Sequence, residues 1–567
     1  MAHFFVRGCG PFPLVVAAYR FFMANYCLSR SRRRFLGRVS GAAAGLAIFP
    51  VVAAEVGEIN PPAVLYSNDT TNITSCESPW RGPKDGFLDQ HLRETIREAA
   101  GADVHMLQPG LGWIPWWEST VYSANAHTEF LAEYGIEKQH AYGRYLLAGG
   151  DLVRTLTDEC QTLNVLPFVS FRLNDGHHTR KLSESIEKGR PDQTMSRHYW
   201  ENIDEFRIGT DANEWDDAVF DWAIPEVVDH KAELIEELCD THEFAGLELD
   251  MLRHWVRFSP ENTTVEQRRE ITTNFVRRIR EALDRKTYQG KRRWLGVRVP
   301  ACLEIHDEQG IDLKRLVDEG GIDFVNLSYT YFTMQDDAVA RVREILPETA
   351  IYLEMTHTTL TGRAISGSGT QPYLRTTPEQ FYTTAHLAYE QGATGVSFFN
   401  FAYYRDHSLP ELGPFHEPPF EVLEKIDDRD FVARQPQWYF LSAGRNDPVL
   451  GEKLLPALIQ RNPPMTFTMQ MAPTGLHTKD GLLRFRSSED ISDREIEVKL
   501  NGTKLEPAPF EAKPIDHPYD VWLGEPEEFV SFIVPRELVE TGANEIEFLL
   551  KGGIRVKLSY LDLTLPI

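Results

Sequence analysis

The sequence predicts an α/β chain that folds as a TIM (β/α)8 barrel followed by a small antiparallel β-sandwich. Three observations predict this fold. Apolar segments of strand length alternate with segments of helical periodicity from residue 63 to residue 400, and helices between consecutive strands imply parallel pairing. Eight such units fit a TIM barrel with insertions. Beyond residue 465 the pattern changes to short strands separated by turn signals, which favours a sandwich.

Each predicted barrel strand has an apolar body, and each predicted helix has apolar residues at helical spacing. The predicted strands are residues 63–67, 104–108, 165–171, 244–250, 294–299, 324–329, 350–356 and 394–400. The predicted helices are residues 88–100, 151–163, 225–241, 265–283, 313–319, 338–346 and 378–390. A doubly wound open sheet would show the same alternation. However, no G-x-G-x-x-G follows the first strand, which disfavours a nucleotide-binding version of that fold.

The chain is predicted to have four parts, namely an export signal (1–54), the barrel (55–440), a connector (441–464) and the sandwich (465–567). The connector contains several prolines and shows no clear period. The predicted sandwich strands are residues 466–471, 482–486, 495–504, 529–534, 545–550 and 554–560. Asn501-Gly502 lies between flanks of alternating apolar residues, which is a strong hairpin signal.

The N-terminal segment has the order of an export signal. Residues 31–36, Ser-Arg-Arg-Arg-Phe-Leu, fit the twin-arginine pattern, and an apolar run at 39–52 ends in small residues. We therefore expect export by the twin-arginine pathway to the periplasm or the extracellular space, with Met23 as an alternative start. A basic patch before a core helix is the alternative interpretation. No later apolar run reaches the roughly 18 residues that a membrane helix needs.

Composition narrows the class of partner. The formal net charge is -25, and the first 54 residues hold seven Arg and no Lys or acidic residue, so subtracting those charges leaves -32 for the remainder. Such an acidic protein is not expected to bind nucleic acid or an anionic membrane. The cysteines are scattered without C-x-x-C spacing, and we predict no cofactor. The composition suits a protein that acts on a neutral ligand, and it leaves the oligomeric state open.

Two carboxylates are the main catalytic candidates, because a TIM barrel carries its catalytic groups at the carboxyl ends of its strands. Asp250 ends the fourth predicted strand, on the same face as Glu248, and Glu354 lies on the face of the seventh strand shared by Tyr352 and Thr356. If that face points inward, Glu354 lies across the mouth from Asp250. Glycoside hydrolysis needs such an opposed pair, one carboxylic acid and one carboxylate. A structural ion network with Arg253 or His254 is the alternative.

The other strand ends present polar or aromatic side chains that could bind a sugar. Aromatic rings could stack on its flat apolar faces, and polar groups could hold its hydroxyls, although aromatics near loops are also common packing residues. The predicted substrate-binding residues are Trp113, Trp116, Trp117, Arg172, Asp175, His178, Glu248, Arg253, His254, Arg298, Tyr329, Asn400 and Tyr403.

A metal site is an alternative for the loop after the third strand. Asp175, His177 and His178, with a carboxylate from the fourth strand, have suitable ligand chemistry. The first strand lacks the His-x-His of metal-dependent barrel hydrolases, and two adjacent histidines cannot both point inward from a regular strand. We therefore predict no metal.

The fourth-strand motif also carries a resemblance. Gly246-Leu-Glu-Leu-Asp250 with Met251-Leu-Arg-His254 resembles the glycosyl-hydrolase-like ten family of bacterial TIM-barrel proteins, which is similar to the α-amylase and α-galactosidase groups. Residues 296–300, with Glu304 and residues 310–312, also look like that family's fifth-strand region. The resemblance covers about 60–440 and implies Asp250 as nucleophile or base. The α-amylase pattern has Arg where this chain has Glu248, and it would take the acid from Glu304.

The sequence therefore predicts an exported glycoside hydrolase with a carbohydrate substrate. Asp250 is the expected nucleophile or base, and Glu354 is the expected acid, with Glu304 as the alternative acid. A non-catalytic glycan-binding protein on the same scaffold and a metal-dependent hydrolase are the alternatives.

Overall fold

The structure is a computed structural model that describes residues 60–69, 89–111, 113–360, 373–405, 417–441, 448–451, 454–487, 489–509, 512, 515 and 526–567. The predicted export signal lies outside the described residues. Within them, no helix is both long and apolar enough to cross a bilayer.

The predicted TIM barrel is confirmed. In the described part of the chain, eight parallel strands close a barrel in the order β1-β8-β7-β6-β5-β4-β3-β2. The strands are β1 Val64–Asn68, β2 Val104–Leu107, β3 Leu166–Arg172, β4 Gly246–Asp250, β5 Trp294–Pro300, β6 Phe324–Ser328, β7 Ala350–Thr356 and β8 Gly395–Phe399. Their bounds agree with the predicted strands to within two residues.

A helix follows each strand from β1 to β7. These helices are α1 Asp89–Glu98, α2 Leu152–Leu163, α3 Pro225–Thr241, α4 Val265–Asp284, α5 Leu313–Asp318, α6 Ala338–Ile345 and α7 Pro378–Glu390. Their starts follow from local sequence. α4 begins at a capping box between Thr264 and Gln267, and Pro225 occupies the first turn of α3, where its missing N–H removes no bond.

Insertions after β2 and β3 carry additional short helices at the carboxyl end of the barrel. They are Ala124–Glu133, Ala141–Leu147, Leu182–Lys188, Arg197–Glu201, Ile203–Phe206 and Trp215–Ala218. The short helices His306–Gln309 and Arg429–Ala433 follow β5 and β8. Small strand pairs join Gly110–Leu111 to Ile114–Pro115, Thr287–Tyr288 to Lys291–Arg292, and Thr358–Leu360 to Tyr373–Arg375.

The antiparallel sheets of the predicted sandwich follow the barrel. Their strands are β9 Gln437–Leu441, β10 Ala457–Ile459, β11 Met465–Met471, β12 Gly481–Ser487, β13 Ile496–Leu500, β14 Thr503–Lys504, β15 Glu506–Ala508, β16 Phe529–Val534, β17 Gly542–Leu550 and β18 Val556–Leu565. Among the described residues one sheet has the order β9-β18-β12-β16-β15, with β10 also on β18, and the other has the order β11-β17-β13-β14. Asn501 and Gly502 both have positive φ, and they join β13 to β14 in the predicted hairpin.

The floor of the barrel is filled by aromatic rings. A methyl group on Gly246 would lie 2.5 Å from the Phe168 ring, and one on Gly296 would lie 2.1 Å from the Phe324 ring. Glycine at these two positions therefore makes room for the rings of the neighbouring strands. The apolar floor leaves the carboxyl end of the barrel as the place where polar side chains collect.

Candidate active site

Asp250 and Glu354 lie together at the carboxyl end of the barrel. Alternation along a strand puts both side chains inside, above the apolar floor, and Asp250 is in register with Arg172 on β3 and Arg298 on β5. The exposed fractions are only 2% for Asp250 and 1% for Glu354. A carboxylate this buried needs a charged partner.

Arg298 is that partner for both carboxylates. Its Nε donates to Glu354 Oε2 at 2.7 Å and its Nη2 to Glu354 Oε1 at 2.7 Å. Its Nη1 donates to both carboxylate oxygens of Asp250 at 3.1 Å. Ser328 Oγ also donates to Glu354 Oε1, at 2.6 Å. Burial raises the pKa of Glu354 above its ordinary value, although the Arg298 charge opposes this shift.

Asp250 is oriented by backbone groups as well. The N–H groups of Leu252 and Arg253 donate to Asp250 Oδ1 at 3.0 and 3.2 Å. The Arg172 guanidinium lies 3.8 Å from Asp250 Oδ2. Backbone N–H groups and guanidinium groups therefore fix the orientation of the Asp250 carboxylate.

Glu248 lies below Asp250 and is fully buried. Ser170 Oγ donates to its Oε1 at 2.7 Å, and Asn326 Nδ2 donates to its Oε2 at 2.8 Å. Burial raises the pKa of Glu248 to about 7, although Arg298 opposes this shift. Glu248, Ser170 and Asn326 thus form a hydrogen-bonded layer of side chains below Asp250.

Asn400 holds Asp69, a residue absent from the predicted set, beside Arg172. Arg172 Nη2 donates to Asp69 Oδ2 at 2.9 Å. Asn400 accepts from the Asp69 N–H at 2.9 Å and donates to Asp69 Oδ2 at 3.2 Å. The end-of-strand position of Asp69 after β1 is the signal that could have found it.

The loop after β3 brings His177 and Asp175 together beside Arg253. Arg253 Nη2 donates to His177 Nε2 at 2.9 Å, so the ring proton lies on Nδ1, which donates to Asp175 Oδ1. Burial lowers the pKa of His177, Asp175 raises it, and the Arg253 charge lowers it further. Burial alone would raise the pKa of Asp175, but His177 and Arg172 hold it well below the ordinary value. The pair is a neutral imidazole on an ionised carboxylate.

Asp175, His177 and His254 also come close enough to hold a metal ion, since ligand atoms from all three lie within 4.8 Å of one another. The hydrogen bonds do not fit that use. The Gly176 N–H donates to His254 Nδ1 at 2.8 Å, and Arg253 donates to His177 Nε2. Each imidazole lone pair is thus already engaged, with a guanidinium beside the cluster. This donor set suits hydrogen bonding better than a cation.

Four residues at the rim have left-handed backbone conformations. Trp113, His254, Thr330 and Asn400, which follow β2, β4, β6 and β8, have φ of 70°, 56°, 63° and 58°. Such angles are unusual for side chains larger than glycine, above all for a β-branched threonine. Strained backbone concentrates at functional sites.

Several predicted site residues do not join the mouth. Glu304 has a 63% exposed side chain paired with Arg341 at 2.7 Å, and hydrogen bonding to Arg341 lowers its pKa to about 2. A carboxyl group ionised so readily is a poor general acid. Tyr329 donates to Asp336 and lines, with Glu304, a separate cavity that reaches Phe440 on β9.

Three more of the predicted site residues, Trp116, Trp117 and His178, are buried against neighbouring side chains. Trp116 is buried and stacks on Tyr142 at 4.2 Å, and Trp117 is buried with its Nε1 donating to Glu237 at 3.2 Å. His178 packs edge-on against Tyr199, with the ring centroids 4.0 Å apart. Trp116 and His178 contribute to packing, whereas Trp117 also lines a cavity with Arg172 and Asp175.

Two half-buried rings do lie at the mouth. Tyr331 and Tyr403 lie 6.0 Å apart between centroids, and the Arg253 guanidinium lies 5.2 Å from the centroid of the Tyr331 ring. Tyr403 also approaches His357 at 4.9 Å. Together these groups offer an apolar face with polar edges.

Lys231 is a buried lysine that is absent from the predicted set of site residues. It extends from α3 to Arg172 O at 3.4 Å, and its Nζ lies 3.6 Å from the centroid of the Trp113 ring. Burial lowers the pKa of Lys231 to about 7, although Asp175 opposes this shift. The signal was available, because Lys231 takes an apolar position in the spacing of Val227, Leu234 and Leu238.

Comparisons with known proteins give weak likenesses. No protein-family model matches the chain, and no curated protein matches it. The α-L-fucosidase isoenzyme 2 of Paenibacillus thiaminolyticus is 11% identical, with a TM-score of 0.38 over 64% of this chain and 48% of that chain. The chain thus spans about half the length of that fucosidase. The PgaB (BpsB) glycoside hydrolase domain of Bordetella bronchiseptica is 10% identical, with a TM-score of 0.36 over 64% of this chain and 98% of that chain.

A GH29 α-L-fucosidase of Bacteroides thetaiotaomicron is 11% identical, with a TM-score of 0.34 over 87% of this chain and 94% of that chain. The solved structures that this chain resembles therefore include glycoside hydrolases. Likenesses at these scores carry no argument about activity, which has to rest on the site itself.

Proposed function

We propose that this protein is a glycoside hydrolase in which Asp250 is the attacking carboxylate, or the base that activates water. One observation carries the proposal. The Asp250 carboxylate is fixed in orientation at the carboxyl end of the barrel by the Leu252 and Arg253 N–H groups and by Arg298, which also binds a second carboxylate. A carboxylate nucleophile must be ionised and oriented before substrate binds.

The neighbourhood of Asp250 supports a sugar as substrate. Tyr331 and Tyr403 are half-buried rings that could pack against a pyranose face, and Arg253 and His177 offer polar groups beside them. A ring with an apolar face and a hydroxyl rim matches such a surface. We infer a carbohydrate substrate of unspecified linkage.

Sequence predicts Glu354 as the acid, and its hydrogen bonds bear on that role. Both of its oxygens accept hydrogen bonds, from Arg298 and from Ser328. A group that donates a proton to the leaving oxygen needs that proton free, so Glu354 would have to give up part of its contact with Arg298 during reaction. Its resting contacts support a second role, in which Glu354 fixes Arg298 beside Asp250.

The experiment that tests the proposal compares wild type with Asp250→Asn on a panel of nitrophenyl glycosides. We expect at least a 1,000-fold loss of turnover with unchanged thermal unfolding, since removing a nucleophile abolishes the covalent route. The matched control is Asp318→Asn, which removes an exposed carboxylate paired with Lys314 and should leave turnover unchanged. Equal turnover in wild type and Asp250→Asn would refute the assignment.

A second candidate is a glycan-binding protein without turnover. The observation that favours it is the contact of Arg298 with both Asp250 and Glu354, which ties the two carboxylates into one buried ion cluster. It predicts that wild type and Asp250→Asn both retain glycan on an array, and that neither hydrolyses the panel.

We also propose that the protein is exported through the twin-arginine pathway, on the sequence of residues 31–54 alone. Replacing Arg32 and Arg33 with Lys should hold the precursor in the cell, whereas wild type should appear outside the inner membrane with its first residues removed. N-terminal sequencing of the exported protein checks the cleavage site.

A further inference from the structure

The His177–Asp175 pair has the geometry of an oriented general acid–base group. The proton on His177 Nδ1 is donated to Asp175 Oδ1, which leaves the Nε2 lone pair on the opposite side of the ring. In hydrolases that use a histidine base, a buried carboxylate holds the imidazole in this same tautomer. Asp175 is 2% exposed, and its Oδ2 accepts from Gln108 Nε2 at 3.4 Å. The imidazole is therefore presented by a fixed carboxylate.

The pair is linked to the proposed nucleophile through Arg253. His177 Nε2 accepts from the Arg253 side chain at 2.9 Å, and the Arg253 backbone N–H donates to Asp250 Oδ1 at 3.2 Å. Arg172 is close to both acidic groups, with Nε 3.8 Å from Asp250 and an attractive interaction with Asp175. A single residue, Arg253, thus links the Nε2 of His177 to the carboxylate of Asp250.

We propose that His177 is the proton-transfer residue of this mouth, acting through Nε2, and that Asp175 is the residue that positions its imidazole. This inference rests on the proposed glycoside hydrolysis at Asp250, and it moves the acid–base role from Glu354 to His177. Substrate displaces the Arg253 side chain from Nε2, and Arg253 keeps its backbone bond to Asp250.

The two half-reactions balance with this assignment. Before the first, Nε2 of His177 takes up a proton from solvent. An Asp250 oxygen then bonds to the anomeric carbon, the bond to the leaving oxygen breaks, and the imidazolium gives that oxygen its Nε2 proton. In the second, a water oxygen bonds to the anomeric carbon and its proton passes to Nε2. The bond to Asp250 breaks and its electron pair returns to the carboxylate. His177 returns that proton to solvent, and the enzyme ends in the protonation state in which it began.

The charges that face His177 set its pH dependence. They are Asp175 on its own loop, Arg253 and His254 after β4, and Arg172 on β3. Because burial and Arg253 lower the pKa of His177, a lower pH is needed to protonate its imidazole. Hydrolysis of substrates with poor leaving groups, which need that proton, should be fastest at acidic pH.

The experiment uses the full-length mature protein and aryl glycosides that differ in the acidity of the leaving phenol. With His177→Ala we expect a loss of about 10²–10⁴-fold on the least acidic phenols and a small loss in the cleavage step on dinitrophenol, which leaves without a proton. Azide should restore turnover on dinitrophenyl substrates, because it attacks the glycosyl-enzyme without a base. His140→Ala, which removes an exposed imidazole before the helix Ala141–Leu147, is the matched control.

Asp175→Asn provides a second test that does not require loss of the ring. An amide in place of the carboxylate removes the negative charge that holds the proton on Nδ1 and replaces one acceptor oxygen with an NH2 donor. The ring ¹⁵N spectrum of His177 and the pH profile of turnover should therefore both shift, with KM little changed. Equal losses on all leaving groups in His177→Ala, or an unchanged ¹⁵N spectrum in Asp175→Asn, overturn the assignment. Wild type that cleaves no glycoside refutes the proposed function itself, whereas active wild type with an equally active His177→Ala refutes only His177.

Discussion

Replacing Arg298 with Met should destabilise the barrel by about 4 kcal/mol at pH 7. The change removes the only charge that Glu354 contacts among the described residues, and Glu354 is 1% exposed. Breaking one buried ion pair costs about 3–5 kcal/mol. The carboxyl can instead take up a proton, which at pH 7 costs about 3–4 kcal/mol against an ordinary pKa near 4.3. The two estimates agree, and Asp250 adds little because Leu252 and Arg253 still donate to it.

The pH dependence of this loss distinguishes a buried ion pair from simple loss of packing. Burial already raises the folded-state pKa of Glu354 in wild type, and loss of Arg298 raises it further, so the destabilisation relative to wild type is small near the unfolded value and grows as pH rises. The loss should increase by up to about 1.4 kcal/mol per pH unit between pH 5 and pH 7. Urea unfolding followed by the fluorescence of the 11 tryptophans, at pH 5, 6 and 7, measures the difference from wild type.

Two variants serve as controls. Arg298→Met with Glu354→Leu removes both charges, and it should recover more than half of the loss because no buried charge is left unpaired. Arg341→Met breaks the exposed pair with Glu304 and should cost less than about 1 kcal/mol at every pH. An Arg298→Met loss that matches Arg341→Met, or that is the same at pH 5 and pH 7, would refute the reasoning.

Three further substitutions test other parts of the barrel. Wild-type stability should rise by up to about 5 kcal/mol between pH 7 and pH 10.5, because Lys231 loses its proton near pH 7 when folded but near 10.5 when unfolded, and Lys231→Met should lack this rise in urea titrations. Thr264→Ala breaks the capping box with Gln267 and should cost about 1 kcal/mol by the same assay. Gly296→Ala places a methyl 2.1 Å from the Phe324 ring and should lower the thermal midpoint by an amount equivalent to about 1–3 kcal/mol, which calorimetry would detect.

The fold could be predicted from sequence because apolar spacing and cap residues indicate the same helices and strands. The predicted spans 225–241, 350–356 and 378–390 coincide with α3, β7 and α7, since apolar spacing and cap residues mark the same boundaries. The polar strand ends also followed from sequence, because topology alone brings the carboxyl ends of parallel strands to one mouth.

The contacts at the mouth were less accessible, because they depend on loop conformation. The predicted substrate-binding set contained His178 and not its neighbour His177, whereas the loop turns His177 to Arg253 and packs His178 on Tyr199. Trp116 and Trp117 were predicted as sugar-stacking residues, whereas both are buried, Trp116 against Tyr142 and Trp117 against Phe171 and Glu237. No local sequence pattern indicates which aromatic residues other segments of the chain will bury.

The left-handed conformations at the rim have a consequence for engineering. Four non-glycine residues at the rim have left-handed backbone angles. Each conformation costs about 1–2 kcal/mol, which favourable interactions elsewhere in the chain must offset. Glycine at Thr330 would relieve the strain at that residue, and such a chain should melt later while presenting a less ordered entrance. In this barrel, thermostability and substrate capture therefore place opposite demands on the same few backbone angles.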